Sequence, residues 1–224
     1  FIKQCLLSCN ANNVIQSLID LKLPYHHLAF IGEVLEDNLV LYCENVYACR
    51  VVQAFIKVYG DKLAIDKILE NGRHLFLSRV KYGNYVIQCI IQRNEWYSEL
   101  PAIRKFRRKL IADVFNFSNI LLLSKDKFGS NVIETCIRVS TEKQIDQLLS
   151  TICCKQGFVL KELIADKFGN YVPKTLLENC KNKRQQRKLM YVFHSFVSNS
   201  YHFQRRFNYC AAFIEKSRQV MRTM

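Results

Sequence analysis

The sequence predicts an all-α chain built as a stacked array of helical repeats, about five of them, with a capping half-repeat at the C-terminal end. Seven Gly and three Pro in 224 residues leave little for β-turns or flexible linkers. Apolar residues recur with a helical period rather than in alternation. One pattern of about ten residues also returns five times. It is clearest in Lys81–Gln92, KYGNYVIQCIIQ. At about 100° per residue, Asn84, Tyr85 and Gln88 share one arc while Val86, Ile87 and Ile90 point the opposite way. The other copies are NANNVIQSLI (Asn10–Ile19), YACRVVQAFI (Tyr47–Ile56), KFGSNVIETCI (Lys127–Ile137) and KFGNYVPKTLL (Lys167–Leu177).

The first polar position of each copy is Asn12, Cys49, Asn84, Ser130 and Asn170, giving steps of 37, 35, 46 and 40 residues. A period of that size belongs to a solenoid, in which each unit buries its apolar face only against its neighbours. The patterned helices are expected near residues 12–19, 49–56, 84–91, 130–137 and 170–177. Each holds two adjacent polar positions, two apolar ones and then a third polar one. Packing alone does not demand that on five helices. An amide, a ring and a second amide on one face suit a flat, hydrogen-bonding ligand such as a nucleobase.

Taken in order, Phe1–Ser8 reads as the first helix of a repeat, and Tyr25–Leu35 as a helix after Pro24 with His26 and His27 on its surface. Leu39–Glu44 leads into the second patterned helix; Asp61–Leu69 and His74–Val80 lead into the third. One helix packs, one reads and one links. The long 46-residue step suggests an insertion at Gln92–Lys109, with Trp96, Pro101 and a basic run, Arg104, Lys105, Arg107, Arg108 and Lys109. That run reads either as a solvated helix start or as a set of phosphate contacts. Ile111–Leu123 then resumes packing, Thr141–Thr151 links, and Ile152–Phe158 is an irregular connection. Residues 181–224 begin strongly basic and end in Phe207–Lys216, FNYCAAFIEK, where Ala211 and Ala212 replace polar readers. A terminal unit without readers is what an end cap requires.

Lys plus Arg total 33 against 19 Asp plus Glu, a formal net charge of +14. Such an excess attracts polyanions, nucleic acid first among them, with acidic membranes and acidic proteins as alternatives. The ten Cys show neither C-x-x-C nor paired His spacing, so no metal site is expected. Most fall on apolar faces as small hydrophobes, which implies a reducing compartment and a cytoplasmic location. Apolar runs such as Ile120–Leu123 are far too short to span a bilayer. The chain opens on Phe rather than Met and enters a helix at once, as a fragment with further repeats upstream would. No H-E-x-x-H, G-x-S-x-G, P-loop or dinucleotide fingerprint occurs, so neither catalysis nor a cofactor is expected.

The residues themselves carry a resemblance. Tyr/Phe-Gly followed by Asn-Tyr-x-x-Gln or Ser-Asn-x-x-Glu is similar to the RNA-reading helix of the Pumilio (PUF) repeat family. The order Cys-Arg-x-x-Gln, Asn-Tyr-x-x-Gln, Ser-Asn-x-x-Glu, Asn-Tyr-x-x-Lys resembles the family's last four repeats. Family members usually have eight repeats; five are visible here. The resemblance implies a right-handed solenoid of three-helix repeats that binds single-stranded RNA at one base per repeat, antiparallel to the protein. It also implies repression or decay of mRNAs through their 3′ untranslated regions, with protein co-regulators docking at a loop such as 152–158.

By that resemblance the base-edge readers are Asn12 and Gln16, Cys49 and Gln53, Asn84 and Gln88, Ser130 and Glu134, and Asn170 and Lys174. The residues stacked between bases are Asn13, Arg50, Tyr85, Asn131 and Tyr171. The chemistry agrees. Uracil offers two carbonyl acceptors and one N–H, which two amides can match. Guanine offers two adjacent donors, which the Glu134 carboxylate accepts. In the family a Cys and Gln pair accompanies adenine. Lys174 departs from the usual Gln and cannot accept from uracil N3–H, and Asn13 departs from an aromatic or Arg stacker. Reading backwards along the chain gives 5′-(U)-G-U-A-(U)-3′. A structured-RNA-binding relative from ribosome biogenesis and a HEAT- or armadillo-type protein scaffold are the competing readings.

Overall fold

A computed structural model describes residues 1–60, 65–92, 101–197 and 211–223. Among them every regular element is a helix. The chain groups into two compact units, Phe1–Leu110 and Ile111–Met224.

In the first unit the elements are α1 (Ile2–Leu7), α2 (Ala11–Asp20), α3 (Ala29–Asp37), α4 (Leu39–Glu44), α5 (Ala48–Tyr59), α6 (Asp66–Leu69), α7 (Arg73–Ser78) and α8 (Gly83–Gln92). Helices α2, α5 and α8 are the patterned ones and pack side by side, while α4 packs on α7 behind them. The apolar face of α8 behaves as its spacing predicts. Val86, Ile87, Ile90 and Ile91 are fully buried, each contributing about 1.5–3 kcal/mol relative to exposure. Bonds between residues about one repeat apart tie the copies together. Tyr59 Oη donates to Leu23 O, Cys89 Sγ–H to Gln53 O at 3.8 Å, and Lys67 Nζ to Glu36 O at 3.3 Å.

Helix α9 (Pro101–Val114) carries the chain into the second unit, which continues with α10 (Phe117–Ser124), α11 (Gly129–Val139), α12 (Glu142–Ile152), α13 (Cys154–Ile164), α14 (Tyr171–Asn179), α15 (Lys183–Val197) and α16 (Ala211–Thr223). Here α11, α14 and α16 form the patterned row, α10 and α13 pack beneath it, and α12 pairs with α15. The α12–α15 contact is polar: Arg184 Nη2 meets Asp146 Oδ2 at 2.8 Å, and Gln185 Nε2 donates to Glu142 O and Asp146 Oδ1, both at 3.1 Å. Thr141 and Gln144 form a reciprocal capping box at the start of α12. The C-terminal helix α16 packs on α14 as a further row member. Phe213 is anchored edge-on against Phe193 of α15, with ring centroids 4.8 Å apart. This is the capping arrangement expected for a unit with alanines at the reader positions.

Several sequence expectations need correction. Tyr25–Leu35 is not one helix: a 3₁₀ turn at Tyr25–His27 is separated from α3 by Leu28, whose φ of −120° leaves the helical region. His26 and His27 are exposed, as expected. Gln92 is the last residue of α8, and the basic run lies within α9 rather than in an insertion. Pro101 opens that helix, where a missing N–H is harmless. By chain order α9 is the linking helix of the fourth repeat. Residues 93–100, including Trp96, lie outside the described residues. The packing stretch Ile111–Leu123 is divided between α9 and α10, because Asn116 is extended and its side chain accepts from Ser118 N at 3.0 Å, capping a new helix. The connection after Ile152 is shorter than expected, since α13 starts at Cys154. Gln156 (φ 54°) and Gly157 (φ 76°) nevertheless interrupt its first turn, as Asn71 (φ 50°) and Gly72 (φ 71°) do before α7. Residues 61–64 and 207–210, which belong to two expected helices, also lie outside the described residues.

Candidate nucleic-acid interface

Four of the five patterned helices start from the same local device, set four residues before the first polar position; in α8 that place is taken by Val80. Asn45 Oδ1 accepts from Tyr47 N and Ala48 N, Asp126 Oδ1 from Phe128 N and Gly129 N, and Asp166 Oδ1 from Phe168 N and Gly169 N. Ser8 Oγ plays the same part for Asn10 and Ala11. These side chains satisfy N–H groups that a helix start leaves without intrahelical partners. The repeated D-K-F-G at Asp126 and Asp166 is the signal that sequence reading passed over. Next to it, Lys81, Lys127 and Lys167 lie over the neighbouring rings of Tyr82, Phe128 and Phe168 at 4.7–5.6 Å.

The three polar positions of each helix are not equivalent in the structure. The first is buried everywhere: Asn12, Cys49, Asn84, Ser130 and Asn170 are all below 5 % exposed. The second is exposed everywhere, at Asn13, Arg50, Tyr85, Asn131 and Tyr171. The third, Gln16, Gln53, Gln88, Glu134 and Lys174, is half-buried. A helical wheel puts all three on one arc and misses this grading.

Burial of the first position is possible because its donors are spent on the preceding turn. Asn84 Nδ2 donates to Val80 O at 3.0 Å and Lys81 O at 2.9 Å. Asn12 and Asn170 repeat both bonds at 2.7–3.0 Å. With the NH2 group so fixed, only the side-chain oxygen points along the helix, and it orients the third position. Gln88 Nε2 donates to Asn84 Oδ1 at 2.9 Å, and Gln16 Nε2 to Asn12 Oδ1 at 2.8 Å. Cys49 offers no such oxygen, and Gln53 Nε2 turns to Cys49 O instead, at 3.1 Å. Burial pushes the Cys49 thiol above its ordinary pKa, so it stands there as a neutral S–H. The expectation of two equal amides facing a ligand is therefore corrected: the first amide holds and the second is held.

In the first unit Gln53, Lys57, Tyr85, Gln88, Cys89 and Gln92 line an open groove of about 330 Å³ between α5 and α8. In the second unit Glu134 is a clamped carboxylate, with its side chain 15 % exposed. Its Oε2 accepts from Thr175 Oγ1 of α14 at 2.8 Å and from Arg138 Nη2 at 2.9 Å. Arg138 is an i,i+4 neighbour on the same helix, whereas nothing in the linear pattern brings residue 175 to residue 134. Lys174 precedes Thr175 on α14, whose Pro173 is tolerated because it falls in the first helical turn. In the basic run, Lys105, Arg108 and Lys109 are exposed and Arg107 is half-buried. Arg104 falls on the same helix, α9. No group of three or more His, Cys, Asp or Glu able to hold a metal occurs among the described residues. Nor is any described helix long and apolar enough to cross a membrane.

Comparison with known proteins fits this geometry. Residues 38–71, 81–94 and 119–153 match the family model of the Pumilio-family RNA binding repeat. Among relatives, Fem-3 mRNA-binding factor 2 of Caenorhabditis elegans is 26% identical over 199 residues, covering 76% of this chain and 30% of that protein. Putative pumilio homolog 13 of Arabidopsis thaliana is 30% identical over 156 residues, covering 67% and 26%. The chain thus spans about a quarter to a third of the curated relatives it matches. Among solved structures, PUF-8 in complex with PBE-RNA superposes with a TM-score of 0.81 at 22% identity, covering 98% of this chain and 61% of that one. The Puf3 RNA binding domain bound to Cox17 RNA gives 0.79 at 23% identity, covering 98% and 62%. Matched repeats, named relatives and fold agree, and the chain belongs to the Pumilio (PUF) repeat family.

Proposed function

We propose that this chain acts as one RNA-binding domain, taking single-stranded RNA sequence-specifically at one base per reading helix, as part of a post-transcriptional regulator. The observation that supports this best is the graded triad repeated on five helices: a buried anchor, an exposed stacker and a half-buried edge reader. Exposed Tyr85, Tyr171 and Arg50 offer faces on which bases stack, at about 1–3 kcal/mol per base. The held amides of Gln16, Gln53 and Gln88 keep both a donor and an acceptor group, so they can tell uracil or adenine from bases with the opposite pattern. Relatives whose names or structures specify RNA point the same way.

In the second unit Asn170 with Lys174 takes a uracil, and Ser130 with Glu134 takes a guanine between Asn131 and Tyr171. In the first, Asn84 with Gln88 takes uracil, Cys49 with Gln53 adenine, and Asn12 with Gln16 uracil. Read antiparallel, the order is 5′-(U)-G-U-A-(U)-3′, a UGUA core of the kind found in mRNA 3′ untranslated regions. The protein works in the cytoplasm as a binder rather than an enzyme. Co-regulators that repress or degrade the message dock at 152–158, where Phe158 is exposed.

Glu134→Gln tests the reading. It keeps shape and an acceptor for Thr175 but sets an NH2 against one guanine donor. Anisotropy with UGUAU, UAUAU and UUUAU at one salt concentration should show a loss of roughly 1–3 kcal/mol confined to the guanine RNA, the range for a good bidentate base contact. An equal shift for all three would overturn the assignment.

A further inference from the structure

Ser130, Glu134 and Arg138 stand at i, i+4 and i+8 on α11, one stripe with successive members about 6 Å apart along the axis. Arg138 has its side chain 53 % exposed and bonds Glu134 Oε2 through Nη2. The same register, four residues beyond the edge reader, is filled by Lys57 on α5 and Gln92 on α8. Both line the groove that holds Gln53, Tyr85 and Gln88. In the first unit, therefore, the concave site extends one helical turn past the two readers.

We infer that Arg138 is a third edge reader of this repeat, donating to guanine O6 while Glu134 accepts from N1–H and N2–H. This rests on the reading of Glu134 as the guanine-facing carboxylate. Along its Watson–Crick edge guanine presents donor, donor, acceptor, and a carboxylate followed by a guanidinium presents the complement. Adenine has an amino donor where guanine has O6, so the guanidinium meets it donor to donor. Glu134 alone leaves O6 unread.

The exchange is physically cheap. Oε2 has two protein partners, and guanine needs one of those places. Thr175 is buried and comes from the neighbouring helix, so it stays and fixes the carboxylate plane. The Arg138 contact is an exposed i,i+4 pair, a class of interaction of low net worth. Its guanidinium has five donors, and swinging one N–H from Oε2 to O6 keeps it beside its counter-charge.

The test uses Arg138→Met, which keeps the aliphatic stem, and Arg138→Lys, which restores a donor. Each is measured by anisotropy against UGUAU and against the same RNA with inosine, 2-aminopurine or adenine in place of guanine. Inosine keeps O6, whereas 2-aminopurine has neither O6 nor N1–H. Arg138→Met should weaken the guanine and inosine RNAs by the same factor, about fivefold or more, and leave the 2-aminopurine and adenine RNAs unchanged or tighter. Arg138→Lys should recover part of the loss. A uniform loss across all four RNAs would assign Arg138 to phosphate attraction and overturn the inference. So would tighter guanine binding by Arg138→Met, which would make Arg138 a competitor of the base. Should Glu134→Gln leave guanine preference intact, the underlying reading falls too. If Glu134→Gln abolishes that preference while Arg138→Met acts uniformly, only Arg138 loses its role.

Discussion

Asn84 and Gln88 carry the same amide, yet one is locked to backbone carbonyls of the preceding turn and the other faces a groove. The difference comes from position: at the helix start the short Asn84 side chain reaches back to the carbonyls of Val80 and Lys81, whereas Gln88, one turn later, meets Asn84 Oδ1 instead. Lys174 is where this division fails. Asn170 keeps both backbone bonds, but an ammonium has no acceptor to turn toward uracil N3–H, so the pair can attract a carbonyl without telling U from C. Lys174→Gln should restore the held amide seen at Gln16 and Gln88 and raise the U over C preference at the 5′ base. Competition between UGUAU and CGUAU measures it, and an unchanged ratio would mean that residue 174 does not face the base.

At the scale of elements, the reading helices are set by how closely their first turns approach the packing helices. A Cβ on Gly129 would lie 2.6 Å from Leu123 O, on Gly83 2.8 Å from Leu77 O, and on Gly169 2.9 Å from Leu163 O. Each is a backbone oxygen that cannot move alone. Gly129→Ala should therefore destabilise despite alanine's advantage of about 1 kcal/mol inside a helix. Overpacking of this kind costs typically about 1–3 kcal/mol, so a net loss of up to about 2 kcal/mol is expected in the unfolding free energy from urea titration. Ala11 and Ala48 hold the same register in α2 and α5, which confines the close approach to the three later repeats. A stabilised Gly129→Ala protein would show that the helices part without penalty.

At the scale of the whole molecule, charge is the dominant long-range property, at a formal +14. Part of it is committed internally, as in Arg184 with Asp146 and Arg138 with Glu134. The run from Arg104 to Lys109 belongs to a linking helix rather than to the reading row. If bases rather than bulk charge govern binding, few phosphates are neutralised. At about −0.7 per phosphate for single strands, the slope of log K against log salt for UGUAU should be shallower than about −4. Titration between low and physiological salt measures it. A much steeper slope without preference for UGUA would mean that charge, not base reading, holds the RNA.

The sequence by itself determined the helical class, the five patterned helices to within three residues, and the apolar faces of helices such as α8. Hydrophobic period and repeat spacing are local properties of the chain, and five copies of the pattern, three of them opening on KYG or KFG, repeat them. It also picked out the three polar positions of each helix, because residue type and interval are legible without coordinates. Only the tertiary structure decided which member of each triad is buried, since burial depends on the neighbouring helix that covers it. It alone brought Thr175 to Glu134 across 41 residues, moved the basic run from an insertion into α9, and broke the Ile111–Leu123 stretch at Asn116. Those outcomes follow from contacts and caps that a periodic pattern does not encode.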